Sequence, residues 1–215
     1  MNNKLFNSTD QQLLTDIMLH RRDVRGNNFL PDELPSEVVE QILRAATLAP
    51  SVGFSQPWEF VLVRDPAVRR RVADSFEAEN RKAEAQFSDH RRQLYSRLKL
   101  EGILEAPLNV AVFYKPSSGP VLGQTTIRET GEYSVVCAIQ NMWLMARALN
   151  VGMGWVSILN PQDVKTILQA PADHKLVAWL CLGYVKQFHD QPELEKLQWE
   201  RRKPLDLALH WDRFD

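Results

Sequence analysis

Little cysteine, no long apolar run and no surplus of either charge bound what this chain of 215 residues can be. Its two cysteines, Cys137 and Cys181, lie far apart with no CxxC spacing, so the sequence predicts buried free thiols and not a disulfide or metal site. Five histidines are scattered without an HxxxH or HExxH pattern, and no metal is expected. The most apolar stretch, LVAWLCLGYV at 176–185, is ten residues long, too short to span a bilayer. The opening MNNKLFNSTDQQLL has no apolar run followed by small residues, so neither a signal peptide nor membrane association is expected, and the cytoplasm is the default location. Lys plus Arg number 26 against 27 Asp plus Glu. Such a balance gives no general field for nucleic acid, and any basic site must be local.

What the chain does contain is 44% hydrophobic and 25% charged residues, the composition of an ordinary globular domain, and residues 1–215 are expected to form one. Thr9 with Gln12 offers a capping box for a helix running to about His20. Ser36 is placed to cap a second helix with Val38, Val39, Ile42, Leu43 and Ala46 on one face, closed by Pro50. WEFVLV reads as a strand, and a charged helical stretch follows from about 67 to 99. PLNVAVFY from 107 is a second buried strand, and KPSSGPVLGQTT is a surface loop or lid. The stretch 131–149 is apolar nearly all round, which makes it a central helix. VGMGWVSIL and KLVAWLCLGYV supply two more strands around a helix with Asn160 as N-cap and Pro161 at its first position. Strands alternating with helices describe an α+β fold, a three-layer α-β-α sandwich with a mixed central sheet.

Three segments carry candidate chemistry. RRDVR at 21–25 sets Asp23 among Arg21, Arg22 and Arg25, and three guanidinium forks within five residues could surround a phosphate. ERRKP at 200–204 is a second basic knot; spacing does not show that the two meet. The glycine pair of VGMGWVS follows a helix and opens a strand, the reverse of a dinucleotide fingerprint. Its small residues either admit a flat ligand, with Ser157 offering a hydroxyl, or end a helix before a core strand. APSVGFSQPW at 49–58 is a loop of the kind that presents backbone to ligands or turns a corner.

In the order RRDVR, APSVGFSQPWEFVLV, VGMGWVSI and a basic segment before Pro204-Leu205, the chain resembles the nitroreductase-like flavoprotein family from about residue 12 to 210. The resemblance implies a homodimer with FMN at each end of the shared interface, its phosphate held by Arg21, Arg22, Arg25 and Arg202. Ordinary members carry Ser where this chain has Asp23 and PSSxNxQPW where it has PSVGFSQPW, so that Val52 and Phe54 replace a Ser and a flavin-binding Asn. Those departures, with SRLKLEGI, YSVVCAIQNMWLMARALNVGMGWVSI and VAWLCLG, resemble one branch, the 5,6-dimethylbenzimidazole synthases of vitamin B12 biosynthesis.

That branch implies consumption of reduced FMN with dioxygen, giving 5,6-dimethylbenzimidazole and erythrose 4-phosphate, with a separate flavin reductase as the source of reduced FMN. Carried over by motif, Asp23 would transfer protons near the ribityl chain, kept ionised by the adjacent guanidiniums. Ser157 would lie by the flavin's reactive edge, Val24 within the same flavin-binding segment, and Pro50 and Ser51 against the ring system. Leu100 would belong to a cap that keeps water from the reaction. A conventional NAD(P)H-dependent nitroreductase explains the basic clusters but not Asp23 or Phe54, and a flavin-sequestering protein without chemistry is the third reading.

Overall fold

The computed structural model describes residues 3–214. Four strands, β1 (Trp58–Val63), β2 (Leu108–Tyr114), β3 (Gly152–Val156) and β4 (Lys175–Gly183), form one sheet in the order β1-β2-β4-β3. All three ladders are antiparallel. The mixed character expected from strand–helix alternation is confined to one isolated parallel bridge, between Asp23 and Met153. The reason is that the helical connections return the chain in the opposite sense, so each named strand meets its neighbour head to tail.

Among the described residues, seven α-helices surround the sheet: α1 (Ser8–His20), α2 (Ser36–Thr47), α3 (Pro66–Glu84), α4 (Asp89–Tyr95), α5 (Thr130–Ala148), α6 (Pro161–Leu168) and α7 (Glu193–Lys196). Side-chain alternation along β2 and β4 divides the interior in two. Leu108, Val110, Val112, Ala178, Leu180 and Leu182 face α2 and α5 in one core. Ala111, Phe113, Trp179 and Cys181 face Val72 and Phe76 of α3 and Val164 of α6 in the other. This is the three-layer sandwich. Asn109, fully buried in the second core, is satisfied because its Oδ1 accepts from Trp179 Nε1 at 2.7 Å and its amide donates to the Ile103 carbonyl at 3.2 Å.

Several local expectations are revised. The capping box of α1 is Asn7 with Asp10, not Thr9 with Gln12, because the Asn7 side chain is the one that reaches the Asp10 N–H. Helix α2 starts at Ser36 with Pro35 in the cap position, so the Ser36 hydroxyl caps nothing. The long stretch predicted at 67–99 breaks between α3 and α4, where Phe87 turns in to meet the rings of Tyr95 and Trp199 at 5.2 Å each. Both cysteines are free, but only Cys181 is buried; Cys137 is exposed on α5. The Asn160 cap of α6 is as predicted, its side chain accepting from Gln162 and Asp163 N–H groups.

Candidate functional site

Residues 21–25 leave the C-terminal end of α1 in extended form and lie along the free edge of β3. Val24 N–H donates to the Met153 carbonyl at 3.1 Å, making the segment a stub of a fifth strand. Gly154 makes this possible: a Cβ there would collide with the Val24 carbonyl oxygen. Of the glycine pair, Gly154 admits the Val24 backbone, while Gly152 makes room for the Val185 and Val24 side chains. Helix α5 holds the segment from the other side, with Trp143 Nε1 donating to the Arg22 carbonyl at 3.1 Å and Arg147 Nε to the His20 carbonyl at 3.0 Å.

The three arginines divide their labour. Arg22 is spent on the backbone: its guanidinium donates to the carbonyls of Leu19, Arg21, His189 and Asp190, fastening segment 187–190 to the end of α1. Arg25 donates to the carbonyls of Leu100 at 2.7 Å and Trp155 at 2.9 Å and pairs with the Asp23 carboxylate. Arg21 lies over the Trp143 ring at 4.9 Å, with no protein acceptor on its fork among the described residues. Burial and the neighbouring charges of Arg22 and Arg202 hold its pKa below the usual guanidinium range, against the pull of Asp23. A cation crowded by cations is eased by an anion, and Arg21 and Arg202 line the same cavity.

Asp23 is fixed at both oxygens. Oδ1 accepts from Trp155 N–H at 3.0 Å, and Oδ2 meets Arg25. Burial raises its pKa above the ordinary carboxylate value, outweighing the opposing effects of Arg25, the Trp155 N–H and Arg21. Burial and the guanidiniums thus pull this carboxyl in opposite directions, and burial is the larger effect. Its side chain keeps 34% of its surface open, and it borders the cavity described next.

That cavity gathers residues from both ends of the chain. Arg21, Arg22, Asp23 and Arg25 form one wall, Leu98, Lys99 and Leu100 a second, and His189, residues 191–194 and Arg202 a third. Val24 is buried behind the wall. Arg202 arrives there because Trp199 is clasped by Phe87, Tyr95 and the Arg91 guanidinium, the last at 4.5 Å. Sequence reasoning missed Trp143, Trp155, His189 and Glu193. The signal available for the last two was the polar, proline-bearing stretch QFHDQPEL between β4 and the basic tail.

The Nitroreductase family profile matches residues 18–184. The chain belongs to the nitroreductase family. A curated relative from Rhodospirillum rubrum named 5,6-dimethylbenzimidazole synthase is 46% identical over 93% of this chain and 95% of the relative. A second of that name, from Rhodobacter capsulatus, is 37% identical over 97% of this chain and 99% of its own length. A crystal structure of iodotyrosine deiodinase bound to FMN and 3-iodo-L-tyrosine shares the fold, with a TM-score of 0.74 at 20% identity over 94% of this chain and all (100%) of that one.

This nitroreductase-family chain keeps three more of its sequence-predicted site residues, besides Val24, off the cavity wall. Pro50 is exposed, Ser51 is half-buried with its hydroxyl accepting from Gln56 N–H at 3.0 Å, and Ser157 is exposed just past β3. Loop 51–56 is held by α5, where Ser134 Oγ accepts from Val52 N–H at 3.0 Å. Phe54 has φ of 54° and is 81% exposed. Asn fits that left-handed conformation more readily than Phe, so the departure from PSSxNxQPW retains a strained backbone while replacing a polar side chain by an apolar one.

Proposed function

We infer that this protein is a 5,6-dimethylbenzimidazole synthase: an oxidoreductase that consumes reduced FMN with dioxygen to make the lower ligand of vitamin B12, with residues 1–215 as one FMN-binding domain. The observation that carries the reading is Asp23, a carboxyl held by Arg25 and the Trp155 N–H beside the open guanidinium of Arg21. An ordinary flavin reductant has no need of a proton-holding group there.

Reduced FMN supplies electrons to dioxygen and the skeleton of the product: its dimethylbenzene ring, two ring nitrogens and ribityl C1′ are retained, while erythrose 4-phosphate and the pyrimidine portion of the isoalloxazine leave. Arg21 and Arg202 hold the phosphate, and Arg22 shapes the wall behind it. Asp23 sits where an arm running from that phosphate passes, and it accepts or returns a proton at a carboxylate oxygen. Leu98–Leu100 and segment 189–194 close over the cavity and exclude water.

Pro50 and Ser51 lie away from this wall, so a second copy brings its own loop to the ring system. Apolar surface for such a homodimer is present: Leu13, Leu14 and Met18 of α1, Tyr133 and Val136 of α5, and Leu205, Leu207 and Trp211 of the tail are all exposed. Ser157 faces the reactive edge of the flavin in this assembly. Reduced FMN comes from a separate flavin reductase, and the setting is the cytoplasm, where both thiols stay reduced.

Anaerobically reduced FMN mixed with the protein and then exposed to air should yield 5,6-dimethylbenzimidazole by mass spectrometry; oxidised FMN and peroxide as the only products would refute the reading. Arg21→Ala should weaken FMN about tenfold, since a charge-assisted bond is lost, and leave riboflavin affinity unchanged. Flavin-fluorescence titration measures both, and equal losses would remove Arg21 from the phosphate.

A further inference from the structure

We propose that Arg25 is a positioning residue: its guanidinium orients the Asp23 carboxylate and ties the 98–101 cap to the end of β3, leaving the flavin phosphate to Arg21 and Arg202. Family resemblance groups all these arginines at the phosphate; the distribution of their donors does not. The Arg25 side chain is only 18% exposed. One terminal nitrogen donates to two carbonyls from separate elements, Leu100 at 2.7 Å and Trp155 at 2.9 Å, while the other meets Asp23 Oδ2. Next in the chain, Gly26 N–H donates to the Glu101 carbonyl at 2.7 Å, so the cap is pinned at two successive points. Trp155 is held twice as well: its N–H donates to Asp23 and its carbonyl accepts from Arg25.

These contacts close a small circuit: Asp23, Arg25 and the Trp155 peptide each bind the other two, and Leu100 hangs from the same guanidinium. Displacing the cap removes one acceptor from Arg25 and loosens the fork that aims Asp23. The acid is thereby set when the cap is down, which links water exclusion to proton handling. A lysine keeps the charge but cannot serve three acceptors in fixed directions.

The proposal rests on the proton-transfer role given to Asp23, and its test has arms that do not need turnover. In FMN-free protein labelled with 13C at Asp carboxyls, Arg25→Gln should raise the Asp23 titration midpoint by about one pH unit or more, because an opposing charge is lost. Arg21→Gln should move it less. Arg21 and Arg22 on the same segment, Lys99 of the cap, His189 and Glu193 of the 187–194 segment and Arg202 line the same cavity as this carboxyl. None of these is itself substituted in the Arg25 variants; only Lys99 rides on the cap that Arg25 ties.

Arg25→Gln and Arg25→Lys should bind oxidised FMN within about threefold of the parent. Product formation should fall in both, with the acidic limb of its pH profile in Arg25→Gln moving up with the Asp23 midpoint. Adding Arg25→Gln to Asp23→Asn should cost nothing further. A tenfold loss of FMN affinity in Arg25→Lys, with the Asp23 midpoint unmoved in Arg25→Gln, would make Arg25 a phosphate ligand and overturn the proposal. Arg25→Lys keeps the test decisive if Arg25→Gln does not fold: unchanged product yield in it would equally refute the three-acceptor role. Absence of product from the parent protein would sink the synthase reading alone, since the titration and FMN-binding arms would still decide what Arg25 does.

Discussion

Asp23→Asn is expected to bind FMN with nearly unchanged affinity and to lose about 100-fold or more of its 5,6-dimethylbenzimidazole yield, the usual contribution of a positioned proton-transfer group. The amide keeps the size of the side chain and can still accept from the Trp155 N–H with its oxygen. It cannot exchange a proton. The same substitution has a thermodynamic signature. Burial raises the Asp23 pKa in the folded chain above the ordinary 3.8, so the native state holds this proton more tightly than the unfolded state does. Stability from this group is therefore full below that ordinary value and is lost as pH rises through the folded pKa. Comparing denaturation of the two proteins across that window should show the decline attributable to Asp23 in the parent and its removal in Asp23→Asn. Full product yield in the variant would remove Asp23 from the chemistry, and identical pH dependence would remove the buried-acid description.

Gly154→Ala is the second large effect. The backbone angles at Gly154 are ordinary, so the cost is collision: a methyl group would occupy the place of the Val24 carbonyl oxygen, with the Asp23 carboxylate at 3.5 Å. The 21–25 segment and β3 must separate, breaking the Val24 bond to Met153 and the Asp23 bond to Trp155 together. A loss of about 3 kcal/mol in chemical denaturation is expected, together with loss of FMN binding, because Arg21 is carried on the displaced segment. Gly119→Ala is the control, since no atom lies within 4 Å of the added methyl there, and both properties should be unchanged. A Gly154→Ala protein with parental stability and parental flavin affinity would show that this edge tolerates a gap.

The elements and the site were not equally legible in the sequence. The apolar runs of β2 and β4 were readable because both faces of these strands are largely buried, and α5 from an apolar run that continues onto an exposed face at Tyr133 and Val136. The Asn160-Pro161 start of α6 was readable because cap chemistry is local. The break after α3 was not, since QFSD contains neither glycine nor proline; the turn is set by Phe87 reaching rings that lie elsewhere in the chain. RRDVR announced an anion site, but the sequence could not say which guanidiniums were free. Arg22 and Arg25 spend their donors on carbonyls contributed by residues up to 168 positions away, and that allocation exists only once the fold has formed. Likewise the basic tail reaches the cavity through Trp199, whose aromatic clasp has no local signal.

The most direct test of the account is a crystal structure of the protein with FMN bound. It should place the phosphate on the guanidiniums of Arg21 and Arg202, with the Asp23 carboxylate facing the ribityl arm and still bonded to the Trp155 N–H. A flavin whose phosphate lies elsewhere, or an Asp23 carboxylate turned to bulk solvent away from the arm, would contradict it.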